Sequence, residues 1–188
     1  MAKTIFCKEN GIIFSITTFT GEFETGFFVK CLGHTWISID NRTGHSVFVK
    51  DYELKNNEIL TASVWAIFGH RGIVFNLEPA FIRSGRYAGR LSLSIPIDET
   101  QLQTVSEYFE RNKRWTLRKN CSFWSVQFWN GLAGSTYALK PRWGVYTPKR
   151  LYKSMSAFAC AELDKDFSRA EGIFMYHDRK RTELNLCK

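Results

Sequence analysis

Three observations predict an α+β fold in which an antiparallel β-sheet is built first and helices follow. From residue 11 to about 95 the chain is a succession of short β-branched and aromatic runs, each bounded by Gly, Asn, Asp or Thr. From residue 98 onward the apolar spacing lengthens from every second residue to every third or fourth, the period of a helix. The composition, 44% hydrophobic with 16 Phe, 7 Tyr, 6 Trp and only 4 Pro in 188 residues, can bury one sizeable core. Disordered, collagen-like and low-complexity classes are thereby excluded. With no internal repeat and no boundary signal, residues 1–188 read as a single domain.

Seven strand segments occupy the first half of the chain. Gly11 to Ile16, Gly26 to Cys31, Thr35 to Ile39 and Ser46 to Val49 are the first four, and Asp40-Asn41-Arg42-Thr43-Gly44 has the residue types of a hairpin joining the last two. Ile59 to Phe68, Gly72 to Leu77 and Tyr87 to Ile95 follow, the last alternating Leu91, Leu93 and Ile95 against Ser92 and Ser94. Asp98 then caps a helix through Arg111, with Gln101 in the capping-box position and Leu102, Val105 and Phe109 on one face. A second helix runs from Asn120 to about Leu132, where Gly131 and Gly134 supply the stop. Residues 134–144 are loop. Thr147 caps a third helix with Pro148 at its first position, and a short strand is expected at Ile173 to Tyr176.

Lys and Arg total 26 against 18 Asp and Glu, a net charge of +8. Basic charge suits nucleic acid, an anionic membrane, an acidic protein or an anionic cell wall alike. Adjacent basic residues such as Arg118-Lys119 and Arg179-Lys180-Arg181 sit in no nucleic-acid-binding frame, so no nucleic-acid partner is expected. The longest apolar runs are far shorter than a membrane span, and residues 1–14 lack the apolar centre of a signal peptide. Cys7, Cys31, Cys121, Cys160 and Cys187 lack the spacings of a zinc site or redox dithiol. No metal or cofactor is expected, and a reduced compartment during synthesis leaves at least one thiol available for chemistry.

The informative stretch is Arg118 to Asn130. With Asn120 as N-cap, Cys121 is the first helical residue, where unpaired backbone N–H groups and the helix dipole favour an anion. Arg118 and Lys119 act in the same direction, giving the setting of a nucleophilic thiolate; the bland alternative is a small buried hydrophobe. A thiolate in acyl transfer needs an imidazole partner, and the chain has four His. His34 opens a strand after Gly33, a rigid position from which to reach a helix N-terminus. His45 opens the next strand across the expected hairpin, from which it would orient His34 as the third member of a triad. His70, in a Gly69-His70-Arg71-Gly72 turn, and His177, in the charged tail, read as surface residues. Phe123, Trp124, Phe128 and Trp129 read as helix core.

Gly33-His34-Thr35-Trp36-Ile37-Ser38-Ile39 at a strand start, followed by Asn120-Cys121-Ser122-Phe123-Trp124 opening a helix, resembles the circularly permuted NlpC/P60 branch of the papain-like superfamily. In that branch the His strand precedes the Cys helix. The strand Tyr87 to Ile97, the helix after Asp98, and Trp143 to Pro148 leading into Leu151-Tyr152 are similar to papain-like effectors of interbacterial secretion systems, type VI among them. The resemblance covers residues 30–155. It implies a papain-like fold in permuted order, Cys121 as nucleophile and His34 as general base and acid. The third polar residue falls near His45, with Asp40 and Ser46 as alternatives.

The implied function is a cysteine hydrolase cleaving an amide bond, with cell-wall peptide (peptidoglycan) as substrate. The implied context is an antibacterial toxin delivered by a dedicated secretion apparatus into the periplasm of a rival cell, with a cognate immunity protein in the producer. Two other readings remain: an acyltransferase or lipid acyl hydrolase of the permuted branch, and a non-enzymatic basic binding module. The polar residues beside the thiol, Lys30, Arg118, Lys119 and Asn120, favour a polar substrate.

Overall fold

Two long antiparallel strands, β1 (Gly11–Glu24) and β2 (Lys30–Arg42), anchor the sheet; their pairing runs from Gly11 opposite Arg42 to Phe19 opposite His34, and resumes beyond an irregularity at Phe19/Glu22. The computed structural model describes residues 10–24, 30–67, 70–111, 119–140, 146–177 and 180–184. After β2 come β3 (Val47–Val49), β4 (Tyr52–Leu54), β5 (Ile59–Ile67), β6 (His70–Phe75) and helix α1 (Leu77–Arg83). Next are β7 (Leu91–Ile97), α2 (Glu99–Arg111), α3 (Cys121–Ala133), α4 (Pro148–Met155), β8 (Glu162–Leu163), β9 (Phe174–His177) and β10 (Lys180–Glu183). The main sheet has the order β10-β9-β6-β5-β2-β1-β7-β8, every described pairing in it being antiparallel, and β3 and β4 form a separate two-stranded sheet. The chain is thus α+β, and among the described residues no helix is long and apolar enough to cross a membrane.

Alternation along the strands separates two faces. Ile12, Phe14 and Ile16 of β1, Ile37 and Ile39 of β2, and Leu93 and Ile95 of β7 share one core with Leu102, Val105 and Phe109 of α2, Trp124, Phe128 and Trp129 of α3, and Leu151 and Met155 of α4. Burying aliphatic and aromatic side chains at about 1.5–3 kcal/mol each makes this the principal source of cohesion. The opposite face is smaller and mixed: Phe19, Trp36 and Trp65 pack with Leu77 of α1, Tyr87 and Phe167. Beside them Ser15 and Ser94 face each other at 2.9 Å, and the buried Lys165 ammonium donates to both at 2.9 and 2.8 Å, holding the C-terminal segment to the sheet.

The helix caps follow from the residue types. Asp98 and Gln101 form a reciprocal box: Gln101 N–H donates to Asp98 Oδ1 (2.7 Å) and Asp98 N–H to Gln101 Oε1 (3.1 Å). Thr147 Oγ1 accepts from Arg150 N–H at 3.3 Å, and Pro148 occupies the first helical position.

Three expectations require correction. The hairpin at residues 40–44 does not return the chain along β2, because Asn41 builds a tight side-chain turn instead. Its Oδ1 accepts from Thr43 N–H (3.1 Å) and Oγ1 (2.8 Å), and its Nδ2 donates to the carbonyls of His45 (2.8 Å) and Leu54 (2.9 Å). The chain peels away, and β3 pairs with β4. Residues 77–83, expected to be the end of a strand and a connection, form α1, entered through Asn76 in the left-handed region. The strand expected from Tyr87 starts only at Leu91, since Tyr87 itself has φ of +64°. Of the strand expected at 26–31, only Lys30 and Cys31 lie among the described residues, within β2.

Candidate active site

The site forms where β2 and β5 part. Their pairing covers Ile37 to Asp40 against Ala62 to Ile59 and stops there. Nearer His34, the Thr35 carbonyl accepts instead from Ser63 Oγ at 2.7 Å, and the Thr35 N–H is bonded to the Cys121 sulfur. The first turn of α3 is stitched into this gap: Ser122 Oγ meets Thr35 Oγ1 at 2.8 Å, and Thr35 Oγ1 meets Thr18 Oγ1 at 3.0 Å. Asn120 is the N-cap, its Oδ1 accepting from Phe123 N–H (2.9 Å) while its Nδ2 donates to the Tyr146 carbonyl (2.9 Å). Cys121 is therefore the first helical residue, half-buried, with a free thiol.

Gly33 explains how the imidazole arrives. Its φ of +90° lies in the region glycine favours, and a Cβ there would overlap the Phe19 carbonyl oxygen and stand 2.8 Å from Pro148 Cβ. The bare backbone lets β1 and the start of α4 close on β2 immediately before His34. The imidazole is 3% exposed, and Trp65 covers it with ring centroids 4.0 Å apart. Its Nε2 donates to Glu78 Oε1 at 3.0 Å. Glu78, on α1, is fully buried; Trp65 Nε1 donates to the same oxygen at 3.2 Å, and Thr61 Oγ1 to Oε2 at 2.8 Å. With Nε2 committed to the carboxylate, Nδ1 is the nitrogen left for the thiol, to which the ring is hydrogen-bonded.

The electrostatics follow from this packing. Burial works against a charged imidazole, but the Cys121 sulfur and the Glu78 carboxylate, by charge and by hydrogen bond, outweigh it and raise the His34 pKa to about 9. Burial also works against the thiolate; the His34 charge and hydrogen bond, with the N–H groups of Thr35 and Ser122, outweigh it and lower the Cys121 pKa. The two shifts favour one state, a thiolate beside an imidazolium.

Cys121 and His34, both singled out in the sequence, are thus brought together. His45 is not: it lies beyond the opposite end of β2, its side chain 62% exposed and its Nε2 3.5 Å from Glu99 Oε1. The carboxylate that meets His34 is that of Glu78, which sequence reasoning missed. Its one signal is an acid followed by Pro79 in the first turn of a short helix. The alternative Asp40 is occupied elsewhere, its Oδ2 bound by Arg42 Nη2 at 2.7 Å and Arg169 Nη2 at 2.9 Å, and Ser46 adjoins His45 on the same departing turn. Arg118 and the side chains of Lys30, His70 and His177 fall outside the described residues, whereas Lys119 is exposed beside the cap. Trp124, Phe128 and Trp129 are buried core, and Phe123 packs edge-on against Tyr146 at 5.5 Å. No known protein family, curated protein or solved structure matches the chain.

Proposed function

We propose that this protein is a cysteine hydrolase of papain-like type in permuted order, with Cys121 as nucleophile, His34 as general base and acid, and Glu78 orienting His34. The observation that carries the reading is the chain of contacts from a helix N-terminal thiol to a buried imidazole to a buried carboxylate. In the reaction the thiolate attacks an amide carbonyl carbon. The Cys121 N–H, which has no protein acceptor among the described residues, is the proposed donor to the oxyanion of the tetrahedral intermediate. The His34 imidazolium protonates the departing amine, and the neutral ring then takes a proton from the water that hydrolyses the thioester. Glu78 holds the ring and balances its charge in each half-reaction.

Peptidoglycan peptide is the proposed substrate, with delivery into a competitor's periplasm and a cognate immunity protein as the proposed setting. The resemblance of the Gly33-His34 and Asn120-Cys121 segments to the permuted NlpC/P60 branch, and of the segments after Tyr87, Asp98 and Trp143 to interbacterial effectors, supports this. Incubation of the purified protein with peptidoglycan fragments and, separately, phospholipid vesicles tests it, each with a Cys121→Ala control. Cys121-dependent appearance of new amino termini is expected. Cys121-dependent release of fatty acid with peptidoglycan intact would replace the amide substrate by a lipid acyl ester, and no Cys121-dependent product from an extended panel of amides and esters would favour the binding module.

A further inference from the structure

A groove of about 630 Å³ lies between α4 and residues 138–140. Its floor is apolar, from buried Leu139 and half-buried Phe158, and its rim carries Lys140, Arg150 and Lys153, with no acidic residue in its lining. Lys140 and Lys153 are exposed, and neither has a carboxylate partner among the described residues. Ordinary solvated charge on a protein of net charge +8 needs no such arrangement around an apolar floor.

Two features tie the groove to the thiol. Its wall is fixed by the Cys121 helix itself: Asn130 pairs with Leu139 in both directions, at 2.8 and 3.0 Å, and Trp129 Nε1 donates to the Tyr137 carbonyl at 2.8 Å. At its inner end a smaller recess adds Tyr146, whose carbonyl holds the Asn120 cap. The other wall, α4, starts at Pro148, packed against Gly33 beside His34. One wall thus starts beside His34, and the other is anchored on the helix that begins at Cys121, about two turns further along it.

We infer that this groove binds an acidic peptide portion of the substrate, with carboxylates on the Lys140, Arg150 and Lys153 rim and an apolar side chain on Leu139 and Phe158. The inference rests on the proposed amide-hydrolase reading and names its substrate class; charge complementarity selects the occupant. A rim of exposed cations contributes modestly per contact, so the effect is read from two charge reversals together.

The test is a binding measurement that needs no thiol chemistry. A fluorescein-labelled, acetylated hexapeptide of alternating glutamate and leucine is titrated into the Cys121→Ala protein at low salt and followed by anisotropy, beside its glutamine-for-glutamate counterpart. The acidic peptide should bind about tenfold more tightly, and the preference should vanish in a Lys140→Glu, Lys153→Glu variant that melts at the parent temperature. Because both lysines are exposed, Lys153→Glu alone, with a smaller loss, serves if the double variant does not fold. Equal affinity for the two peptides, or a preference that survives the charge reversals, would overturn the inference. So would phosphatidylglycerol vesicles binding through the same two lysines with no peptide preference. Failure of Cys121 to act as a nucleophile would appear instead as the absence of selective alkylation in the parent protein, and so is separable from failure of the groove.

Discussion

The two ends of β2 each present a glycine with φ of +90° followed by a histidine, Gly33-His34 at one end and Gly44-His45 just past the other. At the first end the glycine is crushed between β1 and α4, the imidazole is buried, and a carboxylate and a thiol hold its ring. At the second, a Cβ on the glycine would meet nothing within 4 Å, and the imidazole stands in solvent beside an exposed glutamate. The same dipeptide makes a chemical site at one end and a turn at the other. What differs is the packing around it: low dielectric and fixed partners convert an ordinary histidine into a poised acid–base group.

Removal of the two histidines should have unequal effects. His34→Gln and Cys121→Ala should each lower activity on the order of 10³-fold or more and combine non-additively, while His45→Ala should stay within about twofold. His34→Ala is the poorer variant, since it strands the buried Glu78 and costs about 3–5 kcal/mol of stability. A full loss of activity in His45→Ala would reverse the assignment.

Glu78→Gln probes the next contact. The amide keeps the shape and leaves the nucleophile in place, so turnover should fall about a hundredfold. The upper limb of the pH–activity profile should move down from about 9, because the carboxylate is one of the groups that raise His34. Unchanged kinetics would make Glu78 structural only.

Glycine substitution makes the comparison purely structural. Gly44→Ala should cost about 1 kcal/mol, the strain of its positive φ alone. Gly33→Ala carries the same strain plus overlap with the Phe19 carbonyl and Pro148, and about 3 kcal/mol or more is expected, measured by denaturant unfolding. Equal losses would mean that β1 and α4 do not close on Gly33 as described.

The thiol end of the site was legible in the sequence because its determinants are local. Asn120 before an apolar run signals a cap, and a cap places Cys121 at N1. Gly33-His34 was equally readable. The carboxylate that holds His34 was not, for two local reasons. Asn41 satisfies its own turn with its side chain, so a segment that reads as a β2–β3 hairpin leads the chain, and His45 with it, away from the sheet. Glu78 sits in a seven-residue helix entered through a left-handed Asn76 with no side-chain cap bond, too short for apolar periodicity to reveal. Its contact with His34 is entirely tertiary. The β3–β4 pairing, and the division of the buried side chains between the two faces of the sheet, likewise depend on registers that no local pattern encodes.

The proposed thiolate–imidazolium pair of Cys121 and His34 is tested by the rate of Cys121 alkylation by iodoacetamide against pH. The sign of each limb follows from the shifts. The thiol is lowered, so reactivity should already be present below the ordinary thiol range of about 8.5. His34 is raised, so the imidazolium, with the stability it contributes, is fully present below about 6.5 and lost as pH rises through about 9, where a second inflection should appear. Replacing His34 by Gln should leave one inflection in the ordinary thiol range. A native profile with that single inflection, unchanged in His34→Gln, would contradict the pair and the hydrolase built on it.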